Sequence, residues 1–459
     1  MMKLISINPS RNYAVLGEVE ASSEKDVVDK VNQARTAFPS WSTMPLTERC
    51  NILTTFIDAS KKHGEEIAHL IASETGRPIT SSRINVAGGI EYFEAYIRLS
   101  ERYLSPQVTI DTDTELHRIY REPWGVVAAI CPWNYPYMNV VWQCGQALIA
   151  GNTIVYKNSE EDPLFSQLLE SLVRQSAIPP GVFNVVYGDG ALGDVLVHQD
   201  IDMISFTGST PVGQALTAIA AKKLIPIVTE LGGSSPLILF EDVDVTDEII
   251  AYISGRRFKN AGQACDAVKR LIVHKSKFND VVDRLTRYVT ALKIGDAVEE
   301  DTEIGPLVAE RQVKRIDAQV KDAVKKGGTI ITGGGRPTGL RGAYYLPTIL
   351  TTVSADMRVW CEETFGPVLP IVPFATEEEA ITLANDTEYG LSAHILTQDN
   401  KRFERVAGKI KAGSISQNTV GFWSPENPFG GYKKSGMGRI HGSSGFDDVT
   451  QLKVVAEEK

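Results

Sequence analysis

The stretch Met203-Ile-Ser-Phe-Thr-Gly-Ser-Thr-Pro-Val-Gly213 decides the fold. Its first four residues are a short apolar run that predicts a strand, and a glycine turn then leads into a helical pattern over Pro211 to Lys223. Such a turn places backbone N–H groups and the positive end of a helix where phosphate groups can bind. The spacing from Gly208 to Gly213 is not the G-x-G-x-x-G fingerprint, and by itself it is more often an ordinary connection.

The same alternation of apolar runs and helical periods continues on both sides of this stretch. After a helical first quarter (Glu24 to Ala37, Leu46 to Ser73, Ile79 to Ser100), the predicted strands are Gly125 to Ala129, Thr153 to Tyr156, Phe183 to Tyr187, Met203 to Phe206 and Ile225 to Val228. A second series is Leu237 to Leu239, Leu271 to Val273, Thr329 to Ile331, Val368 to Val372 and Ser392 to Leu396. This order predicts an α/β protein with two doubly wound α/β domains, the first a Rossmann-like dinucleotide-binding fold.

Two further segments predict a small exposed sheet. Residues 108–120 read Val-Thr-Ile-Asp-Thr-Asp-Thr-Glu-Leu-His-Arg-Ile-Tyr and alternate with a period of two, which is typical of a strand. The terminal Thr450-Gln-Leu-Lys-Val-Val455 completes this sheet.

Composition narrows the functional classes. The 459 residues are 43% hydrophobic, which is enough for more than one core, and the net charge of −10 argues against a nucleic-acid or anionic membrane partner. The five cysteines form no C-x-x-C pair, and no apolar run approaches ~18 residues, so we expect a protein of the reducing cytoplasm without a signal peptide. The seven histidines include no pair spaced for a metal site.

Cys265 is the strongest candidate for a nucleophile. It ends Phe258-Lys-Asn-Ala-Gly-Gln-Ala-Cys265, a small, glycine-broken segment after a predicted helix, where a thiol is accessible and backbone N–H groups are close. Most single cysteines are small core residues. However, Asn134, Glu230 and Glu363 also stand beside Pro or Gly turns, and together they supply an amide donor and two carboxylates.

These motifs, in their order, resemble those of the aldehyde dehydrogenase superfamily, of the NAD(P)-dependent, non-phosphorylating, hydrolytic kind, from about Asn8 to Val455. They are Pro132-Trp-Asn134, Lys157-x-x-Glu160, Phe206-Thr-Gly-Ser209, Glu230-Leu-Gly-Gly233, Gly262-Gln-x-Cys265, Glu363-x-Phe-Gly-Pro367 and Pro428-Phe-Gly-Gly-Tyr-Lys433. The resemblance implies oxidation of an aldehyde to a carboxylic acid through a thiohemiacetal and a thioester on Cys265. Asn134 then holds the oxyanion and Glu230 activates water. Asp266 departs from the neutral or small residue usual after the nucleophile and is expected to raise the thiol pKa unless it points away.

The resemblance also implies a cofactor site. Lys157 and Glu160 hold the adenosine ribose, and the carboxylate of Glu160 repels a 2′-phosphate, so NAD is favoured over NADP. Ser209 meets the phosphates, and Glu363 holds the nicotinamide ribose beside the ring of Phe365. The other cofactor-binding residues implied are Trp133, Phe206, Gly208, Val212 and Leu231.

The substrate is less defined. By similarity, Tyr135, Met138 and Trp142 line the aldehyde tunnel, with Phe422 and Trp423 on its other side, and ordinary core packing is an equal alternative for each aromatic residue. We expect a medium-sized apolar or aromatic aldehyde, because no arginine stands near Trp142 to pair with a distal carboxylate. Succinate-semialdehyde dehydrogenase remains the first alternative. A cofactor-independent cysteine esterase is an alternative from another class, which the turn at Gly208 disfavours.

The predicted domain plan follows from these assignments. Residues 1–104 and 123–235 form the NAD-binding domain and residues 236–442 the catalytic domain. Residues 105–122 and 443–459 form a flap that, by resemblance, joins subunits into a dimer or tetramer.

Overall fold

The computed structural model of the protein describes residues 2–459. Its strands, in chain order, are β1 (Lys3–Asn8), β2 (Ala14–Glu20), β3 (Gln107–Asp111), β4 (Glu115–Pro123), β5 (Val126–Ile130), β6 (Thr153–Lys157), β7 (Phe183–Val186), β8 (Met203–Thr207), β9 (Ile227–Glu230), β10 (Ser235–Leu239), β11 (Val268–His274), β12 (Thr329–Thr332), β13 (Thr348–Thr351), β14 (Val368–Phe374), β15 (Tyr389–Gly390), β16 (Ser392–Leu396), β17 (Ser414–Gln417), β18 (Tyr432–Lys433), β19 (Gly436–Met437) and β20 (Thr450–Glu458).

The α-helices are α1 (Glu24–Thr43), α2 (Leu46–Lys62), α3 (Gly64–Thr75), α4 (Ile79–Leu104), α5 (Pro136–Val140), α6 (Gln146–Ala150), α7 (Pro163–Gln175), α8 (Gly190–Val197), α9 (Thr210–Lys223), α10 (Asp247–Phe258), α11 (Phe278–Thr290), α12 (Glu310–Lys325), α13 (Arg358–Cys361), α14 (Glu377–Asn385), α15 (Asn400–Ala407) and α16 (Gly442–Asp448). A π-helical turn, Val141–Gly145, joins α5 to α6, and a 3₁₀ turn, Lys259–Gly262, follows α10. None of these helices is both long and apolar enough to span a membrane.

Two parallel sheets form the centre of the fold and confirm the predicted α/β class. The first has the order β19-β9-β8-β5-β6-β7, with only β19 antiparallel, and the second has the order β12-β13-β14-β11-β10-β16-β17, with only β12 antiparallel. Both faces of each sheet are covered. On β5, Val127 and Ala129 join one core while Val126 and Ala128 join another, as expected for continuously apolar strands buried on two sides.

The predicted small sheet is present as β20-β4-β3, which is antiparallel throughout. The segment after residue 442 first forms α16, whose Phe446 is buried in the main core, so the sheet strand begins only at Thr450. In addition, β19 pairs with β9 of the first sheet, although it lies within residues 236–442. The domain boundaries remain a prediction.

Some predicted elements differ in detail. The helix expected over Leu46 to Ser73 is two helices, because His63 leaves helical dihedral angles (φ −103°, ψ 14°) and α3 then packs against α4. The strand expected at Ile225 begins at Ile227, because Pro226 has no N–H to donate to the sheet. The hairpin β1–β2 and strands β13 and β17 were not predicted.

Candidate active site

The candidate site lies at the carboxyl ends of the first sheet. Glu230 is the last residue of β9, and Lys157 is the last residue of β6. The segment that carries Asn134 follows β5 directly, and Gly208 follows β8. Carboxyl ends of parallel strands meet along one edge, which is where open α/β sheets bind their ligands.

The loop that carries Cys265 approaches this edge from the second sheet. After α10, Asn260 (φ 53°), Ala261 (φ 51°) and Gly262 (φ 73°) are all left-handed, and the chain then reaches β11. A side chain at Gly262 would lie 2.4 Å from the carbonyl oxygen of Gly366, so this tight path excludes any other residue there. The turn leaves Cys265 partly exposed, whereas Cys50, Cys131 and Cys144 are buried.

Two cavities meet at Cys265. One, of about 290 Å³, is lined by aromatic residues and by Cys265, Asn134 and Glu230. The other, of about 140 Å³, is lined by Gly208, Ser209 and Glu363, and it also reaches Cys265 and Asn134. The thiol is therefore accessible from both sides, and we refer to the two as the aldehyde cavity and the cofactor cavity.

Asn134 is held firmly against the Cys265 loop. Its Nδ2 donates to the carbonyl oxygen of Gln263 (3.2 Å), which leaves one amide proton free. The main-chain carbonyl oxygen of Asn134 accepts from Nη1 of Arg77 (3.0 Å) and Nδ2 of Asn260 (3.2 Å). The side chain thus presents a fixed donor beside the thiol.

Glu230 is buried, and neither carboxyl oxygen has a hydrogen-bond partner within the described chain. Burial raises the pKa of Glu230 well above its usual range, with Asp448 adding to the rise and Arg439 opposing it. Burial therefore disfavours the carboxylate form of Glu230 in this conformation. To act as a base it must turn toward solvent in the aldehyde cavity, which it already lines.

The glycines Gly232 and Gly233, which follow Glu230 closely, have a steric role. A side chain at Gly232 would lie 2.4 Å from Oε2 of Glu363, and one at Gly233 would lie 2.5 Å from the carbonyl oxygen of Cys265. These glycines let Glu363 and the Cys265 loop approach the end of β9.

Burial raises the pKa of the Cys265 thiol, and the neighbouring charges act on it in both directions. Asp266 raises this pKa further, Lys269 lowers it, and Glu230 and Glu363 raise it to a smaller degree. Asp266 lines the aldehyde cavity, where its Oδ2 accepts from Nε1 of Trp423 (3.1 Å). The expected conflict between Asp266 and the nucleophile is therefore real in this structure.

The predicted cofactor residues divide into two groups. Trp133, Gly208, Ser209, Leu231, Glu363 and Phe365 line the cofactor cavity. Four predicted residues lie outside this cavity, namely Phe206, Lys157, Glu160 and Val212. Lys157 is buried, and Val212 is exposed on α9. Oε1 of Glu160 lies 3.9 Å from Nη2 of Arg311. Thr207, Gln312 and Arg315 also line the cavity, and sequence reasoning missed them.

Four of the five predicted substrate residues line the aldehyde cavity: Tyr135, Met138, Trp142 and Trp423. The rings of Trp142 and Trp423 stack with centroids 5.1 Å apart. Phe422 does not line the cavity; its ring packs against His394 (5.7 Å) and under the guanidinium of Arg256 (5.8 Å). Its expected place in the tunnel wall is therefore not supported, because the chain turns between Phe422 and Trp423.

Basic residues near the aldehyde cavity were also missed. Arg77 is buried, stacks on the ring of Tyr135 (4.1 Å) and has no carboxylate partner among the described residues. Arg256 and Lys259 line the cavity as well. In the part of the chain that the structure covers, no group of three His, Cys, Asp or Glu side chains is placed to hold a metal ion.

A search of protein families matches residues 2–455 to the family described as "Aldehyde dehydrogenase family". The chain belongs to the aldehyde dehydrogenase family. Aminoaldehyde dehydrogenase 1, peroxisomal, of Pisum sativum is 36% identical, covering 99% of this chain and 92% of the relative. Succinate-semialdehyde dehydrogenase, mitochondrial, of Oryza sativa subsp. japonica is 35% identical, covering 99% and 86%. The NAD⁺ complex of aldehyde dehydrogenase from Bacillus cereus superimposes with a TM-score of 0.96 at 35% identity, covering 100% of this chain and 93% of that one.

Proposed function

We propose that this aldehyde dehydrogenase oxidises its aldehyde to a carboxylic acid with NAD, through a thiohemiacetal and then a thioester on Cys265. The observation that carries the proposal is the meeting of the two cavities at this thiol. A carbonyl carbon bonded to Cys265 can then be approached from the opposite side by an oxidising cofactor.

The cofactor cavity fits a dinucleotide in two respects. The helix α9 begins after Ser209 without a side-chain cap, so N–H groups of its first turn remain free for a phosphate. Glu363 lines the same cavity with an Oε2 atom that has no protein donor, which suits a ribose hydroxyl. NAD bound here would supply the hydride acceptor.

The residues of the chain perform the remaining steps. The Cys265 thiolate adds to the aldehyde carbon, and the oxyanion that forms accepts from the free Nδ2 proton of Asn134, a contact worth roughly 3 to 4 kcal/mol of barrier. Loss of hydride from the tetrahedral carbon leaves a thioester. Glu230, turned into the aldehyde cavity, then takes a proton from the water that releases the acid.

NAD is proposed over NADP because of Glu160. Glu160 follows the end of β6 and lies near the buried Lys157, and the family resemblance assigns both residues to the adenosine ribose. A 2′-phosphate in contact with this carboxylate would be repelled. Arg311, 3.9 Å from Glu160, partly offsets this repulsion, so we expect a preference and not strict exclusion.

The walls of the aldehyde cavity support two substrate classes. Stacked Trp142 and Trp423 favour an apolar or aromatic aldehyde of medium size. A second candidate is succinate semialdehyde, which is favoured by Arg256 and Lys259 in the cavity lining, since either cation can pair with a distal carboxylate. The cofactor cavity that opens onto Cys265 argues against an esterase as the main activity.

We also propose self-association through the sheet β20-β4-β3. Leu452 and Val454 are 63% and 66% exposed on the edge strand β20, and such an edge can pair with another chain. The free cysteines of the described chain suit the reducing cytoplasm, which remains our expected compartment.

A panel of aldehydes with NAD and with NADP, followed by the absorbance of the reduced cofactor, tests the proposal. The panel should contain propanal, hexanal, benzaldehyde, succinate semialdehyde and an aminoaldehyde. We expect turnover with NAD for at least one class. Hydrolysis of an activated ester without cofactor, and no aldehyde oxidation, would instead favour the esterase.

A further inference from the structure

Lys269 links the cofactor cavity to the nucleophile. It is the second residue of β11, and its side chain is 1% exposed. It donates to the carbonyl oxygens of Ala264 (2.9 Å) and Cys265 (2.7 Å), and to Oε1 of Glu363 (3.0 Å). An ammonium has three protons, so each one has a partner, as a buried cation requires.

These contacts determine how Glu363 is presented. Its Oε1 also accepts from the backbone N–H of Gly233 (3.0 Å), so this oxygen is held by two donors. Its Oε2 has no protein donor, and it faces Gly232, where any side chain would collide with it. Lys269 therefore fixes one oxygen of a carboxylate that lines the cofactor cavity and leaves the other for a ligand.

We propose that Lys269 is a positioning residue that serves both halves of the site. Lys269 orients Glu363 toward the cofactor. It also balances the negative charge of Glu363 beside the Cys265 loop, so that this carboxylate does not lower the reactivity of the Cys265 thiol. This inference rests on the proposed function. The charged or titratable groups around the thiol include Asp266, Glu230, Glu363, Tyr135 and Lys269. Arg77, Arg256 and Lys259 also line the aldehyde cavity. Among these cations, Lys269 is the one that donates both to the carbonyl oxygen of Cys265 and to Glu363.

The test compares Lys269→Met, Glu363→Gln and the double variant. The first readout is the rate at which iodoacetamide alkylates Cys265 between pH 6 and pH 10, without aldehyde or cofactor, measured by mass spectrometry on the Cys265 peptide because Cys361 is also exposed. The second readout is the dissociation constant of NAD. Circular dichroism and thermal unfolding show whether each variant is folded.

For Lys269→Met we expect alkylation of Cys265 at pH 8 to be about three- to tenfold slower than in wild type. The reason is that the positive charge of Lys269 is lost while the negative charge of Glu363 remains. Glu363→Gln should be faster than wild type, and the double variant should return toward the wild-type rate. NAD should bind at least several-fold more weakly to both single variants.

An unchanged alkylation profile in folded Lys269→Met would overturn the inference, as would unchanged NAD binding, because the coupling requires both effects. If Lys269→Met does not fold, Glu363→Gln still decides, and a rate equal to wild type would contradict the proposed charge balance. Failure of the proposed function has a different signature, because wild-type protein would then bind no NAD or oxidise no aldehyde in the panel.

Discussion

Asp266 Oδ2 accepts a hydrogen bond from Nε1 of Trp423 at 3.1 Å, and this bond joins the residue after the nucleophile to the aromatic wall of the aldehyde cavity. The contact holds the carboxylate of Asp266 close to the thiol. Among the charged groups, Asp266 has the largest effect in raising the pKa of Cys265. One side chain therefore contacts the aromatic wall of the aldehyde cavity and also acts on the pKa of the thiol.

Replacing Asp266 by Asn should make the thiol more reactive at neutral pH. The amide oxygen can still accept from Trp423, so the wall is retained while the charge is removed. Because Asp266 raises the thiol pKa, its loss lowers that pKa, and the acid limb of kcat/KM should move to lower pH. Alkylation of Cys265 at pH 7.5 should be roughly three- to tenfold faster than in wild type. An acid limb that stays in place would mean that Asp266 does not control the thiol.

Cys265→Ala should abolish aldehyde oxidation and leave NAD binding largely intact, because Glu363, Ser209 and Gly208 reach the cofactor cavity from other loops. Initial rates and a fluorescence titration with NAD measure the two properties. Cys361→Ala is the matched control, since this cysteine is exposed and lines neither cavity, although it stands two residues before Glu363. Comparable turnover by Cys265→Ala would remove the thiol from the mechanism.

Glu160→Ser should narrow the preference for NAD. A 2′-phosphate about 4 Å from the Glu160 carboxylate would cost on the order of 1 to 4 kcal/mol. Wild-type protein should therefore use NADP at least several-fold less well, and the variant should lose affinity for NAD and gain some for NADP. Equal kcat/KM with both cofactors in wild type would show that Glu160 does not face the adenosine ribose.

Val454→Asp should weaken self-association without changing the fold of the subunit. Val454 is exposed on the edge strand β20, and a buried charge at a subunit contact is costly. Gln451→Asp places the same charge on the opposite face of the strand and serves as the control. Light scattering after gel filtration should show smaller particles for Val454→Asp alone, and a monomeric wild type would contradict the proposed interface.

The sequence predicted the sheets well because their strands are apolar on both faces. Strand β5 reads Val-Val-Ala-Ala-Ile with every residue buried, which is typical of a central strand of a parallel sheet. Strand β17, Ser-Ile-Ser-Gln, was missed because it is polar and only partly buried. The break at His63 was missed because it depends on how α3 packs against α4, which a local pattern does not contain.

The motif residues of the site were predicted because each stands beside a turn in a recognisable string. Lys269 was not predicted, because a lysine at the start of a strand reads as a surface residue. Two of its partners, Ala264 and Cys265, are close in the chain, but its carboxylate partner, Glu363, is 94 residues away. Arg77 was missed for the same reason: its role depends on the carbonyl of Asn134 and the ring of Tyr135, far along the chain. Phe422 was expected to line the cavity and does not, because local sequence does not say which of two adjacent aromatic rings faces a cavity.

The most direct test of the Cys265 thioester is to trap it in Glu230→Gln. Without the carboxylate of Glu230, acylation and cofactor reduction should proceed once per site while release of the acid is slowed. Rapid mixing with NAD and a good aldehyde should give a burst of NADH close to one per subunit, and mass spectrometry should find one acyl group on the Cys265 peptide only when NAD is present. No burst and no adduct, or an adduct on another cysteine, would contradict the mechanism.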